Sequence, residues 1–239
     1  MQLTRHEPGP PGRDIDLFSA LVPLHQARIL ELGCGAAVLT RAIAEQYPDA
    51  HVTALEVDGV QHARNLEVRD LSNVAFGFGG ADDIPAPDGG FDVVLMAKSL
   101  HHVPVHRMER ALNEIARVLR PGGLAYFSEP VYAGEFNAVM SIFHDEKRVR
   151  EAAFATLERA VASGLFELAA EEFYSAARRF ANFEDFERRM IGVTHTDHRL
   201  TAAQMDAVRE RFARSVGDDG AIFHQPMRVD VLRRPQVRG

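Results

Sequence analysis

The segment that most constrains the fold is an apolar run that stops abruptly at a glycine. Residues 27–32 are mostly apolar, Gly33 and Gly35 follow, and a pattern of helical spacing begins at Val38. A run of this length ending at glycine is typical of a buried parallel strand. The turn between strand and helix leaves backbone N–H groups free, and these can bind an anionic group such as a carboxylate. The segment therefore predicts an α/β fold with a ligand site at this turn.

The same alternation of strand and helix continues over the next hundred residues. Segments with helical spacing follow most of the strand-like runs, and a Pro-Gly-Gly turn precedes the fifth run. The strand-like runs are residues 27–32, 51–57, 74–78, 91–97 and 124–128. Strands that alternate with helices predict a parallel, doubly wound, Rossmann-like sheet.

The pattern changes beyond residue 131. A long helical stretch, two further helices and two further strand-like runs are expected at residues 135–163, 183–191, 202–216, 173–180 and 222–232. We predict one domain over residues 1–239 with a seven-stranded, mostly parallel sheet. Residues 1–13 are expected to be flexible, and residues 131–220 to supply lid elements that cover a substrate.

The charge and composition of the chain limit the classes of partner that we expect it to bind. The formal net charge of −7 disfavours a nucleic-acid partner, which normally requires a basic face. The single cysteine, Cys34, cannot form an internal disulfide, which favours a reducing, cytoplasmic setting. No apolar run is long enough to span a membrane. We therefore expect a cytoplasmic protein that acts on a small molecule without nucleic acid or membrane, and we leave the oligomeric state open.

A carboxylate ends the second predicted strand and points to a nucleoside ligand. Glu56 lies about twenty residues beyond the glycine turn, where such a residue can accept both ribose hydroxyls. The third glycine of the dinucleotide fingerprint is absent, since Val38 holds its position, and this counts against NAD and FAD. The chain also has no Gly-Lys-Ser/Thr phosphate loop.

Residues 29–37, Ile-Leu-Glu-Leu-Gly-Cys-Gly-Ala-Ala, resemble motif I of the class I methyltransferases that use S-adenosylmethionine (SAM). Ala37 stands where that family usually has its third glycine. Residues 82–94, 100–103 and 119–123 resemble the family's later motifs in the expected order, so the resemblance covers residues 29–130. Residues 131–239 carry no widely shared motif, and the resemblance implies the cofactor and the fold better than it implies the substrate.

The resemblance implies a set of cofactor-binding residues. Glu31, Gly33, Cys34 and Gly35 would surround the methionine part of SAM, and Glu56 would hold the ribose. Glycine occupies position 80, where the family often has an acidic residue for the adenine amine, so Ala81 and Asp82 are the substitutes. Lys98 falls at the carboxyl end of the fourth strand, at the mouth of the site.

Four residues are candidates for the catalytic step. His102, with His101 beside it, follows the fourth strand and can serve as a general base or as a packing residue. Tyr132 and Asn137 follow the fifth strand, and Tyr174 lies in the sixth, where they can line the acceptor site. Residues 136–144 have helical spacing, so the alternative is that this stripe is ordinary core.

Two clusters of histidine and acid invite a metal site, His144-Asp145-Glu146 and His195-Thr196-Asp197-His198. Their spacing alone carries little weight, because such loops are usually solvated or hydrogen-bonded. We expect no metal.

The function that these patterns favour is methyl transfer from SAM to a small-molecule acceptor. A second hypothesis is that SAM itself is cyclised to azetidine-2-carboxylate and methylthioadenosine, with the site lined by Tyr132, Phe136, Asn137 and Tyr174. A third is a SAM-binding module without catalysis. The products distinguish the three: S-adenosylhomocysteine, methylthioadenosine or neither.

Overall fold

A computed structural model describes residues 1–4, 9–192 and 198–236. The first half alternates between strand and helix except that β3 is followed by β4 without an intervening helix, and two short 3-10 turns, Leu100–His102 and Val105–Arg107, precede the fourth helix. Its elements are α1 (Asp14–Leu21), β1 (Arg28–Leu32), α2 (Val38–Gln46), β2 (His51–Glu56), α3 (Gly59–Asn65), β3 (Val74–Phe78), β4 (Phe91–Ala97), α4 (Met108–Val118) and β5 (Leu119–Pro130).

The second half is richer in helix and in long antiparallel strands. Its elements are α5 (Gly134–Met140), α6 (Lys147–Ala162), β6 (Glu167–Phe180), α7 (Phe183–Phe186) with a π-helical extension (Glu187–Ile191), α8 (Ala202–Ala213), β7 (Val216–Gly217) and β8 (Gly220–Arg233). The sheet order is β3-β2-β1-β4-β5-β8-β6, and the two-residue β7 pairs with β8. β1 to β5 are mutually parallel, whereas β8 runs antiparallel to both β5 and β6. The predicted doubly wound, mostly parallel sheet is confirmed.

The sheet order places a ligand crevice. The order reverses between β1 and β4, and in an open α/β sheet the carboxyl ends of the strands at such a reversal form a crevice. Alternate side chains of β1 bury on opposite faces: Leu30 joins the core under α4 and α6, and Ile29 joins the core under α1 and α2. Both faces of the parallel strands are therefore covered by helices, which explains their continuous apolar sequence.

The region after β5 differs from the prediction at one instructive place. The helix expected over residues 135–163 is broken into α5 and α6, with residues 141–146 as the connecting turn. The Asp145 carboxylate accepts the backbone N–H of Lys147 (3.0 Å) at the first turn of α6, which favours a new helix start there. A third apolar cluster, rich in phenylalanine, joins α5, α7 and α8 to β6 and β8: Phe136, Phe180, Phe186, Phe212 and Phe223.

Residues 9–13, near the start of the chain, run beside β6. Ser175 of β6 donates its N–H to Pro10 (2.8 Å) and accepts the N–H of Gly12 (3.1 Å), so this stretch runs beside β6. A Cβ on Gly9 would lie 2.1 Å from the carbonyl oxygen of Phe173, so only glycine fits there. Residues 9–13 are thus joined to β6 by backbone hydrogen bonds. Among the described residues, no helix is long and apolar enough to cross a membrane.

Candidate active site

The turn after β1 has the backbone that its glycines predict. Gly33, Gly35 and Ala37 have φ angles of 72°, 52° and 56°, in the left-handed region that disfavours residues with a side chain. A Cβ on Gly33 would also lie 2.8 Å from Cβ of Ser99. A Cβ on Gly35, in contrast, would meet no atom within 4 Å, because this residue borders open space. The alanine at position 37 thus holds a conformation that glycine adopts at lower cost, and Gly35 leaves its backbone open to a ligand.

Glu56 connects the two loops that border this space. Its Oε2 accepts the N–H of Gly35 (2.7 Å), and its Oε1 accepts the N–H groups of Val57 (2.8 Å) and Asp58 (2.9 Å). The Glu56 side chain is buried at the end of β2 and faces the cleft. Its carboxylate therefore sets the distance between the glycine turn and the loop after β2, besides being available to a ligand.

The cleft itself lies where the sheet order reverses and encloses about 690 Å³, within the range of small-molecule sites. It contains seven of the eight predicted cofactor residues: Gly33, Cys34, Gly35, Glu56, Ala81, Asp82 and Lys98. His102 also lines it, with Val103 and Pro104. At the end formed by the loops after β2 and β3, Val57 is 59 % exposed and offers an apolar surface for a planar ring.

Glu31 lies behind the turn and does not line the cleft. It is 3 % exposed, and its Oε2 accepts the hydroxyl hydrogen of Thr40 (2.6 Å). Burial raises the pKa of Glu31 to about 7. Glu31 therefore does not contact the space of the cleft.

Cys34 borders the cleft as an inert thiol. Burial, with the nearby charges of Glu31 and Glu56, raises its pKa to about 12, so the thiolate does not form near neutral pH. Asn65 donates to Sγ of Cys34 (3.4 Å) and to the carbonyl of Gly35 (2.8 Å).

Lys98 reaches the cleft, but its ammonium group is already paired. The Nζ atom contacts the carboxylate of Asp14, the first residue of α1. The same carboxylate accepts the hydroxyl hydrogens of Ser128 (2.9 Å) and Tyr174. Burial alone would raise the pKa of Asp14, but Lys98 and the two hydroxyls hold it below its usual value. We call these four residues, Asp14, Lys98, Ser128 and Tyr174, the Asp14 cluster.

A second polar cluster lies beyond the end of β4. Nδ1 of His101 contacts Oε2 of Glu129, and Oε1 of Glu129 accepts the N–H of Leu100 (2.9 Å). His101 and Glu129 are almost fully buried. Burial alone would lower the pKa of His101, but the charges of Glu129 and Glu146 raise it to about 9. The ring of His102 lies beside that of His101, tilted by 40° with the centroids 4.2 Å apart, and His102 is exposed and lines the cleft.

The three other predicted catalytic residues do not line the cleft. Tyr174 is 1 % exposed, and its hydroxyl belongs to the Asp14 cluster. Asn137 is buried on α5, where its Oδ1 accepts from Nη1 of Arg150 (2.9 Å). Tyr132 borders a separate pocket of about 100 Å³ with Lys147 and Arg150. The structure thus brings His102 to the cofactor residues and leaves these three in a second layer.

Several residues of the site were not predicted. Gln61 lines the cleft and donates to Oδ1 of Asn65 (2.8 Å), four residues later on α3. Residues four apart lie on the same face of a helix, so the sequence could have predicted that Gln61 and Asn65 form a polar face directed at the glycine turn. Asp14 carried no such signal, because it reaches the site through a tertiary contact from a distant part of the chain. Glu146 was noted only as part of the sequence cluster at residues 144–146, and its contact with His101 was not predicted.

Among the described residues, one group of three metal-ligating side chains comes together: His101, His102 and Glu146. The sequence pair His195 and Asp197 lies outside the described residues. His198 is described, and its ring lies 4.8 Å from that of His144.

The glycine turn, the Glu56 carboxylate at the end of β2 and the cleft where the sheet order reverses are together typical of an α/β domain that binds a nucleoside. Residues 29–123 match the sequence profile of a methyltransferase domain family. Over these residues the chain is therefore similar to the SAM-dependent methyltransferases, and SAM is its cofactor.

Named relatives agree with this assignment over part of their length. The fatty-acid O-methyltransferase of Mycolicibacterium smegmatis is 36 % identical over 104 residues, which is 43 % of this chain and 36 % of that protein. The 27-O-demethylrifamycin SV methyltransferase of Amycolatopsis mediterranei is 31 % identical over 179 residues, 71 % of this chain and 58 % of that protein. The chain thus spans well under two thirds of the length of these relatives.

The fold is also shared with solved structures. An S-adenosylmethionine-dependent methyltransferase from Mesorhizobium loti superimposes with a TM-score of 0.53 at 18 % identity, covering 92 % of this chain and 96 % of that one. At this identity the similarity concerns the fold alone.

Proposed function

We propose that this protein transfers the methyl group of SAM to a small-molecule acceptor. The observation that carries the proposal is the cleft of about 690 Å³, in which the glycine turn, Glu56 and the loop of Ala81 and Asp82 meet at the point where the sheet order reverses. Each of these is the group that the resemblance assigns to a different part of SAM.

The residues that border the cleft fit SAM part by part. The free backbone at Gly35 suits the carboxylate of the methionine part, since no side chain blocks the approach. Glu56 presents a carboxylate to the ribose, and the exposed side chain of Val57 presents an apolar surface to the adenine. The cleft then continues past Met96 and Ala97 to His102. We infer that the methyl group points to this end.

When bound, SAM supplies a methyl group on a sulfonium, which is already activated for transfer. The chain's own residues then have to position the acceptor and exclude water. His102 is the residue we propose to contact the acceptor, because among the described residues it is the imidazole that lines this end of the cleft.

A small acceptor fits both the charge and the relatives. The net charge of −7 opposes a nucleic-acid substrate. The two relatives are named for a fatty acid and for a rifamycin. Their names support a small-molecule acceptor for this chain without indicating which one.

Product analysis tests the proposal. Purified protein is incubated with SAM and a panel of hydroxylated and carboxylic small molecules, and nucleoside products are separated by chromatography. We expect S-adenosylhomocysteine to accumulate only with an acceptor present. Methylthioadenosine released without an acceptor, or bound SAM that is never consumed, would contradict the proposal.

A further inference from the structure

Three side chains from two distant segments meet beside the acceptor end of the cleft. His101 and His102 come from the 3-10 turn after β4, and Glu146 comes from the turn that separates α5 from α6. One nitrogen from each histidine and one oxygen of Glu146 lie within 4.8 Å of one another. The His101 and Glu146 side chains are only 3 % and 12 % exposed, so they are not a solvated surface group.

His101 is oriented by a carboxylate on its far side. Its Nδ1 contacts Glu129, which directs Nε2 toward Glu146. A histidine that ligates a metal through one ring nitrogen commonly donates the N–H of the other to a carboxylate, and this hydrogen bond fixes the tautomer and the ring orientation. Glu129 is itself held by the N–H of Leu100 (2.9 Å), so the relay is rigid.

Glu146 is held in a similar way, since both of its carboxylate oxygens have partners within the protein. Its Oε2 accepts from Nη2 of Arg150 (2.5 Å). Its Oε1 faces Nε2 of His101 at 3.6 Å and accepts from Nε2 of His144 at 2.9 Å. Arg150 therefore lies on the side of Glu146 away from the two histidines of the group.

The separation between Nε2 of His101 and Oε1 of Glu146 is informative. At 3.6 Å it is too long for a hydrogen bond. Two ligands that each lie about 2.0–2.2 Å from a tetrahedral ion are separated by roughly 3.3–3.6 Å. The pair is thus spaced as two ligands of a shared ion.

We propose that His101, His102 and Glu146 bind a divalent first-row transition metal ion, Zn²⁺ in the first place, with a coordination position open toward the cleft. Two histidines and a carboxylate are a donor set typical of metal sites that keep such a position. His102 lines the cleft, so an acceptor beside the methyl group is within reach of the ion.

The role of the ion rests on the proposed function, although binding of the ion does not. A hydroxyl acceptor bound to the ion would lose its proton to solvent at lower pH than in water. Its oxygen then forms the new bond to the methyl carbon while the carbon–sulfur bond breaks and the sulfur retains the electron pair. The products are a methyl ether and S-adenosylhomocysteine. The acceptor class that this site favours is therefore one with a hydroxyl oxygen able to ligate a metal.

Metal titration of the whole chain tests the site. Protein treated with a chelator and then freed of it is titrated with ZnCl₂ by calorimetry and with CoCl₂ by visible absorption. We expect one equivalent to bind and Co²⁺ to show the intense absorption of a low-coordinate nitrogen and oxygen site. Glu146→Gln and His102→Asn should each weaken Zn²⁺ binding by about tenfold or more. His106→Asn, an exposed histidine on the neighbouring 3-10 turn, is the matched control and should bind as wild type does.

SAM affinity, measured in parallel, separates this inference from the proposed function. If SAM binds to metal-free protein and no stoichiometric metal binding is found, the metal site is wrong and the proposed function stands. If the metal binds and SAM does not, the proposed function is wrong instead. Zn²⁺ affinities of Glu146→Gln and His102→Asn equal to that of folded wild type would also overturn the site, even if some metal binds elsewhere.

Discussion

Two regions meet at the carboxyl ends of the parallel strands, and their polar side chains differ in how many border the cleft and how many are paired within the protein. In the cofactor half, residues 29–123, the glycine turn, Glu56 and the loop after β3 border open space. In the cap half, the described residues from 124 onward, several polar side chains near the same edge are already paired within the protein, as Tyr174 is with Asp14 and Asn137 with Arg150. A polar group that borders space can serve a ligand, whereas one that is already paired mainly fixes the shape around it. Substitutions in the two halves should therefore have different consequences.

The largest effect is expected from the Asp14 cluster. Asp14→Ala removes the acceptor of two hydroxyls and leaves Lys98 without its carboxylate in a partly buried place. We expect the free energy of unfolding to fall by about 3 kcal/mol, the lower end for breaking a buried ion pair. Asp16→Ala, on the same helix but paired only with exposed Arg13, is the control and should change little. Urea unfolding measures both. Equal stabilities for the two variants would mean that this cluster does not anchor α1.

Substitution of Glu56 should reduce SAM binding more than it reduces the stability of the fold, in contrast to substitution of Asp14. Glu56→Ala removes the carboxylate offered to the ribose and frees the N–H of Gly35. SAM affinity should fall by roughly 1–3 kcal/mol, the range for unmet partners of a charged hydrogen bond. Asp58→Ala is the contrasting variant, since Asp58 caps α3 through the N–H of Val60 (2.9 Å). It should lose about 1 kcal/mol of stability and retain SAM binding. If calorimetry finds the affinity lost in Asp58→Ala and kept in Glu56→Ala, Asp58 is the ribose ligand.

The free energy of unfolding and the affinity for SAM should both depend on pH through Glu31. Because burial raises its pKa from 4.5 to about 7, the folded state holds the proton that the unfolded state releases between these values. The free energy of unfolding should therefore decrease as pH rises from about 4.5 to about 7, by roughly 2 kcal/mol. A bound cation stabilises the charged form, so SAM affinity should increase over the same interval. Glu31→Gln should abolish both slopes, as followed by denaturation and titration at several pH values. Slopes retained in this variant would assign the titration to another group.

The smallest effects are expected in the second layer of the cap half. Tyr174→Phe removes the hydrogen bonds of the hydroxyl to Asp14 and Ser128, and Asn137→Ala removes the one from Arg150, each change at a cost of about 1–2 kcal/mol. SAM affinity should stay within about threefold of wild type, because neither side chain lines the cleft. Tyr47→Phe, whose hydroxyl has only a 3.4 Å contact with Gln46, is the control. A large loss of turnover at unchanged stability would show instead that Tyr174 or Asn137 contacts the acceptor.

How far the sequence predicts the molecule differs between the halves for a physical reason. In the cofactor half the signals are local: an apolar run ending at Gly33 specifies a strand and its turn, and Glu56 follows at the end of the next strand. The order of strands and the cleft follow from these elements. In the cap half, helical spacing predicted one helix over 135–163, whereas the chain turns at residues 141–146. Periodicity could not reveal that break, because the turn is set by local contacts such as the one from the N–H of Lys147 to the Asp145 carboxylate.

The same limit explains which contacts the sequence did not predict. Glu146 approaches His101 only because the helix is interrupted, and Asp14 approaches Lys98 only because residues 9–13 run along β6. Each contact joins segments far apart in sequence, so no local pattern announces it. Tyr174 shows the converse error: it lies near the expected place along the chain, but its hydroxyl is directed to Asp14.

The central claim is that the open cleft of the cofactor half binds SAM, and calorimetric titration of the purified chain tests it most directly. SAM and S-adenosylhomocysteine should each bind with a stoichiometry near one, and both should raise the melting temperature, because a ligand of the native state stabilises it by mass action. NADH should give no heat above dilution. Binding of NADH together with no binding of SAM would contradict the account.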